Sequence, residues 1–342
     1  MLEQYVSPAN KIVDLVASLQ FPFANVRPGE NVMIVTDTNM DPLIWQAMMA
    51  VIRSRGADPT LMMYTPRAHH TAEPTAPVAH ALKGCDICVF LTTTALAHSD
   101  FSENRGNVGV LLMEEANVEI LTSPGCQLND EDMQRILASE RWVREFWMEG
   151  GDVHVVTPAG TDLRAALVPG TKRSAYIRRG ILVPEAEKRG VGTWPFGECR
   201  VTPLEGSGEG RVVWDICGHA PPGRYRKPVS LTVKAGRVVK IEGDGEADEV
   251  RRYLETHGDE NSYAAPAEIS VGLNHKATIL GTVRNDKKAL GTAHIAIGRS
   301  DIGGSIVSAT HFDGLMARPT ITVNGKALIR EGVLQFPPGW TP

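Results

Sequence analysis

The chain has 342 residues, enough for one large domain or two ordinary ones. Its 42% apolar and 22% charged residues are those of a globular protein, not a disordered or fibrous one. The formal net charge of -5 argues against nucleic acid as the main partner, because a phosphate backbone demands a basic surface. No run approaches the roughly 20 apolar residues of a membrane span. The opening MLEQYVSPANK lacks the apolar core of a secretion signal. Five scattered cysteines, Cys85, Cys88, Cys126, Cys199 and Cys217, fit a reducing compartment. The expectation is a cytoplasmic protein that takes a small-molecule substrate and engages neither nucleic acid nor membrane.

Up to about residue 125, short apolar runs alternate with amphipathic ones. NVMIVTD (31–37), PTLMMY (59–64), ICVFLTT (87–93) and VGVLLME (108–114) read as buried strands of a parallel sheet. Between the first two, DPLIWQAMMAVIRSRG (41–56) predicts a helix. Asp41 is its cap, Pro42 lies in its first turn and Gly56 ends it. NDEDMQRILASERWVREFWMEGG (129–151) predicts a longer helix, acidic at its start as the helix dipole prefers, and closed by Gly150 and Gly151.

From about residue 152 the texture becomes β-rich. DVHVVTPAGTDLRAAL (152–167) reads as two strands about a Pro-Ala-Gly turn, and VSLTVKAGRVVKIEG (229–243) as a hairpin turning at Ala235-Gly236. EADEVRRYLETHG (246–258) predicts a helix with a terminal glycine. PAEISVGLN, GTAHIAIG, SATHFDGLM and PTITVNGKALIREG follow as strand-rich segments. The fold class is therefore α/β. An N-terminal parallel-sheet domain, 1–150, is expected to pack with a β-rich α+β domain, 151–342.

The chemistry lies in the second part. His294 falls inside an apolar strand, and His311 and Asp313 share one face of another, because strand side chains repeat every second residue. Glu268 opens a further apolar strand, and Glu198 precedes a strand-like piece after a Pro-Phe-Gly turn. Buried carboxylates are costly unless they are paired or bound to a metal. Carboxylates with imidazoles suit zinc, cobalt, manganese or ferrous iron. Taken singly, each residue is better explained by a hydrogen-bonded core position.

Other features have plainer readings. Cys85 and Cys88 lead into an apolar run and read as packing, not a redox pair. His69 and His70 read as loop residues, and His275 as a turn residue. GSGEG (206–210) lacks the Lys-Ser/Thr of a phosphate loop. KRSAYIRRG (172–180) is a basic cluster that, with Arg164, could attract a substrate carboxylate.

PFGECRVTPLEGSGEG, AEISVGLN, NDKKALGTAHIAIG and SATHFDGLM resemble, in that order, the metal-binding segments of the M29 metallo-aminopeptidases, the aminopeptidase T family. DVHVVTPAGTDLRAAL resembles another of its segments. The resemblance runs from about residue 152 to 335, and the first 150 residues share only the α/β character. It implies an aminopeptidase T-like fold, a homodimer, and one or two divalent ions (zinc, cobalt or manganese) held by Glu198, Glu268, His294, His311 and Asp313. Metal-activated water would then be the nucleophile, with Glu205 or Glu209 conceivable as a general base on proximity alone.

Two positions depart from that family. Asp301, seven residues after His294, stands where the peptidases carry a tyrosine, and Arg164 stands where they carry a small or neutral residue. Both point to a substrate other than ordinary peptides, with Arg164 orienting an anionic group. A related branch, the 2,5-dihydroxypyridine 5,6-dioxygenases, is similar in layout and length and binds one ferrous ion. It shares the His-x-Asp of His311 and Asp313 but has histidine at the position of Glu268. Its triad would here be His294, His311 and Asp313. The leading expectation is a metal-dependent hydrolase of an amide or peptide-like substrate. The alternatives are a ferrous ring-cleaving dioxygenase and a non-catalytic metal-containing binding protein.

Overall fold

The computed structural model describes residues 8–97, 99–170, 190–301 and 303–337, and the basic cluster at 172–180 lies outside them. The chain divides into two compact units. The first holds the residues up to Asn129 and a later piece ending at Phe196, and the second holds the rest.

The first unit runs α1 (Pro8–Leu19), β1 (Asn31–Asp37), α2 (Pro42–Ser54), β2 (Asp58–Tyr64), α3 (Ala76–Ala81), β3 (Ile87–Leu91), α4 (Asp100–Glu103), β4 (Gly109–Leu112) and α5 (Val118–Thr122). The second begins with α6 (Asp130–Glu149), β5 (Gly151–Val156) and β6 (Asp162–Leu167), after which β7 (Val191–Thr193) returns the chain to the first. The five strands of the first unit form one parallel sheet in the order β2-β1-β3-β4-β7. Strands β3 and β4 are apolar and buried along their whole length, the pattern of a parallel sheet covered on both faces. Met33, Val35, Cys88, Phe90, Val110 and Leu112 pack into one of its clusters, which gives Cys88 the packing role read from its apolar context. At α2, Asp41 accepts from the backbone N–H of Leu43 and Gly56 takes φ +77°, as their positions in the sequence predict.

A single cut at residue 150 does not describe this division. Helix α6 belongs to the second unit, and β7 supplies the edge strand of the first by pairing parallel with β4. Three residues are too short a run to stand out as a strand in the sequence.

The second unit continues with β8 (Glu198–Val201), β9 (Glu209–Trp214), β10 (Val229–Lys234), β11 (Arg237–Glu242), α7 (Gly245–His257), β12 (Glu268–Gly272), α8 (Val283–Asp286), β13 (Thr292–Gly298), β14 (His311–Ala317), β15 (Thr320–Val323), β16 (Lys326–Arg330) and β17 (Val333–Leu334). An eight-stranded antiparallel sheet has the order β11-β10-β9-β6-β5-β15-β16-β17. The β10–β11 hairpin turns at Ala235 and Gly236, both at positive φ. A four-stranded antiparallel sheet, β14-β13-β12-β8, carries the polar site. It is anchored where Trp214 stacks on Phe312, with ring centroids 5.3 Å apart.

Candidate metal centre

Register decides what this small sheet presents. Asp313 faces Ala296, which faces Glu268. One row along, Leu315, His294, Ser270 and Arg200 stand side by side. Glu198 faces Gly272 in the row beyond, and His311 faces Gly298 at the opposite end. Cross-strand partners point to the same side of a sheet. All five residues expected as metal ligands therefore project from one face. Ala296, Gly272 and Gly298 keep that face open, for none has a side chain larger than a methyl.

Four donors close on one another. His294 Nε2 lies 2.9 Å from Glu268 Oε1, and His311 Nε2 lies 3.0 Å from Asp313 Oδ1. The other two sides of the ring, His294 Nε2 to Asp313 Oδ1 and His311 Nε2 to Glu268 Oε2, are both 4.0 Å. Ligands about 2.1 Å from a common ion stand about 3.0–3.4 Å apart; the two short sides are close to that spacing and the two 4.0 Å sides exceed it, so the four donors would have to draw together around one ion. Asp313 Oδ1, the corner shared by the two histidine contacts, is buried and has no aligned hydrogen-bond donor among the described residues. His311 Nδ1 is 2.7 Å from the backbone oxygen of Arg299, which turns Nε2 inward, as with histidines that bind metals. The donor set and the unsatisfied Asp313 oxygen fit a divalent ion.

Among the described residues, no three of these side chains already stand as a finished metal shell. The carboxylates lean instead on built-in cations. Lys287 Nζ donates to Asp313 Oδ2 at 2.8 Å, Arg200 pairs with Glu268, and Lys288 Nζ lies 2.5 Å from Glu198 Oε1. His219 Nε2 stands 3.8 Å from Asp313 Oδ2. Burial opposes charge on every one of these carboxylates. Even so, Arg200 and the two histidines hold Glu268 well below the usual range. Lys287, His294 and His311 do the same for Asp313. Lys288, Lys287 and His294 bring Glu198 to about 2. Burial pushes Lys288 down to about 7, and the adjoining Glu198 is what sustains its ammonium form. His311 is raised despite burial, chiefly by Asp313.

The sequence reading missed Arg200, Lys287, Lys288 and His219. The signal available was NDKKALG, two lysines running straight into a buried strand. Two expected residues lie elsewhere. Arg164, on β6 of the larger sheet, is exposed and pairs with Asp152 at 3.0 Å, and no described contact links it to the donor face. Asp301 is not among the donors either. It grips Arg299 through two hydrogen bonds of 2.8 and 2.7 Å, and so steadies the residue whose carbonyl orients His311. Glu205 accepts from Ser305 N and Glu209 from Ala235 N. His275 lies in a turn, as read from the sequence, but is partly buried there against Asp132 of α6.

Fold and site together define a two-unit α/β enzyme with a buried donor face on a small antiparallel sheet. A family model for 2,5-dihydroxypyridine 5,6-dioxygenase matches residues 12–336. The chain belongs to that family. It is 26% identical over 275 residues to 2,5-dihydroxypyridine 5,6-dioxygenase of Pseudomonas putida strain KT2440, covering 75% of this chain and 73% of that protein. The solved structure of 2,5-dihydroxypyridine dioxygenase from Pseudomonas putida KT2440 superposes with a TM-score of 0.76 at 22% identity, over 97% of this chain and 99% of that one. Wild-type AmpT from Thermus thermophilus superposes with a TM-score of 0.62 at 13% identity, over 93% and 98%. The aminopeptidase likeness is thus one of fold. The ring-cleaving alternative, not the hydrolase expected first, is the reading that family membership supports. No helix among the described residues is long and apolar enough to cross a membrane.

Proposed function

We propose that the protein is a ferrous-iron dioxygenase that opens the ring of a small dihydroxylated nitrogen heterocycle. The observation that carries the reading is the convergence of His294 Nε2 and His311 Nε2 on Asp313 Oδ1, in a chain of the dioxygenase family. Two imidazoles and one carboxylate with open positions suit ferrous iron. Iron bound there would supply the redox chemistry that activates dioxygen.

The chain's own residues do the rest. His294, His311 and Asp313 hold the ion, and Glu268 stands at the fourth corner with Arg200 balancing its charge. Lys287 fixes the outer oxygen of Asp313, and the Arg299 carbonyl fixes the tautomer of His311. The withdrawn sheet face keeps bulk water from the reacting ring.

Metal content and oxygen uptake test the reading. Protein loaded anaerobically with iron should consume oxygen on adding 2,5-dihydroxypyridine, and chelation should abolish the uptake. Peptide or amide turnover restored by zinc, cobalt or manganese without oxygen would overturn it in favour of hydrolysis.

A further inference from the structure

Among the described residues, Glu198 stands apart from the four donors that close on one another. It lies two rows along the sheet from Glu268 and Asp313, opposite Gly272. Among the described residues it forms an ion pair with Lys288 alone. That pair is withdrawn from solvent, with 10% of the Glu198 side chain and none of the Lys288 side chain exposed. The ammonium meets Oε1 at 2.5 Å without hydrogen-bond alignment. Oε2 is buried and has no hydrogen-bond partner among the described residues.

A buried, ionised oxygen without a donor is costly to maintain. A metal on Oε2 would need several converging donors, and Glu198 stands two rows along the sheet from Glu268 and Asp313, away from the ring where donors converge. A donor arriving with the substrate satisfies Oε2 and leaves the Lys288 pair intact. Hydroxylated pyridines carry such donors, as ring O–H or, in the pyridone tautomer, N–H.

We propose that Glu198 is a substrate-anchoring residue, its Oε2 accepting a hydrogen bond from an O–H or N–H of the ring substrate, and that Lys288 is the positioning residue that holds it. This rests on the dioxygenase reading and removes Glu198 from the metal shell that the aminopeptidase resemblance implies. It also gives the enzyme a basis for selectivity, since a site built to pair a substrate donor rejects analogues that lack it.

Glu198→Gln keeps the shape but leaves Lys288 without its counter-charge. The double replacement Glu198→Gln/Lys288→Met removes both charges and guards against misfolding. Parent and variants are loaded with iron(II) without oxygen, iron is counted, and binding of 2,5-dihydroxypyridine, 2-hydroxypyridine and 3-hydroxypyridine is measured. The expected result is unchanged iron, about one per chain, with 2,5-dihydroxypyridine bound about tenfold or more weakly by both variants. That gap should vanish for the analogue lacking the anchored donor. In turnover, Lys288→Met should raise KM about tenfold and change kcat much less. Iron lost from Glu198→Gln but kept by the parent would overturn the inference alone, as would variants that bind the dihydroxy ligand like the parent. A Lys288→Met variant that loses kcat at unchanged KM would remove the role given to Lys288. A parent that holds no iron would overturn the dioxygenase reading, and this inference with it.

Discussion

Lys287 Nζ and Asp313 Oδ2 are joined by a 2.8 Å charge-assisted hydrogen bond withdrawn from solvent. The lysine orients the carboxylate and at the same time repels a dication beside it. Losing a residue that orients a ligand costs about 10–100-fold in metal affinity. A unit charge near 4 Å is worth about 4 kcal/mol at an effective dielectric of 20, and the repulsion of a doubly charged ion is larger. Repulsion wins, so Lys287→Met should tighten iron(II) binding by about tenfold or more, read by competition with a chelator. Weaker binding would show that orientation governs.

His311 touches both Asp313 and Glu268 from the inner side of the ring. His311→Ala should bring bound iron close to zero. Arg164→Ala should leave iron content unchanged and shift stability by less than about 1 kcal/mol, as for an exposed ion pair. Elemental analysis and denaturant titration read the two outcomes.

Asp301 acts on the site through Arg299. Asp301→Asn weakens the fork, loosens the carbonyl that fixes His311, and should lower iron affinity about tenfold. At saturating iron its KM should stay near that of the parent. A kcat loss at full iron occupancy would instead mark Asp301 as a group that meets the substrate.

Gly314 lies between donor-bearing Asp313 and buried Leu315, and a Cβ there would fall inside the Trp214 ring. Trp214 is fully buried and stacked on Phe312, so it has nowhere to go. Gly314→Ala should cost about 3 kcal/mol, the upper end of ordinary overpacking. Thermal unfolding would show it, together with loss of iron binding.

Asp259 caps the turn before β12 and accepts from Ser262 N, Ser308 Oγ and Ala309 N. Burial is the largest single influence and raises its pKa, but these donors together outweigh it and the net shift is downward. A carboxylate lowered in the folded state contributes stability above its unfolded pKa, about 3.9. That contribution fades as pH falls through the folded value. Asp259→Ala should cost about 1 kcal/mol at neutral pH, and the difference from the parent should shrink below about pH 4. Urea titrations at several pH values give the slope.

The strands and long helices were legible because each follows one period. The 31–37 strand, the Asp41-capped helix and the Ala235-Gly236 hairpin all lie where the sequence puts them. The donor face was legible in part, since alternation placed His311 with Asp313. That Glu198, Glu268 and His294 share their face depends on register across four strands, which the resemblance suggested and local pattern could not. The cations were hidden for a similar reason. Lys287 and Lys288 are adjacent in sequence, yet one serves β14 and the other β8. Arg164 falls on the larger sheet, a placement hidden in the sequence because a strand position says nothing about which sheet the strand joins.

Strand β7 has a practical consequence for dissection. A fragment ending at Asn129 would contain four of the five parallel strands and leave β4 without its outer neighbour. The side chains of β4 are wholly buried, so its bare edge would offer an apolar template to other copies. Such a truncation should precipitate where the intact chain does not. Any expression design for the first half must therefore graft the 191–193 segment back on, or leave the molecule whole.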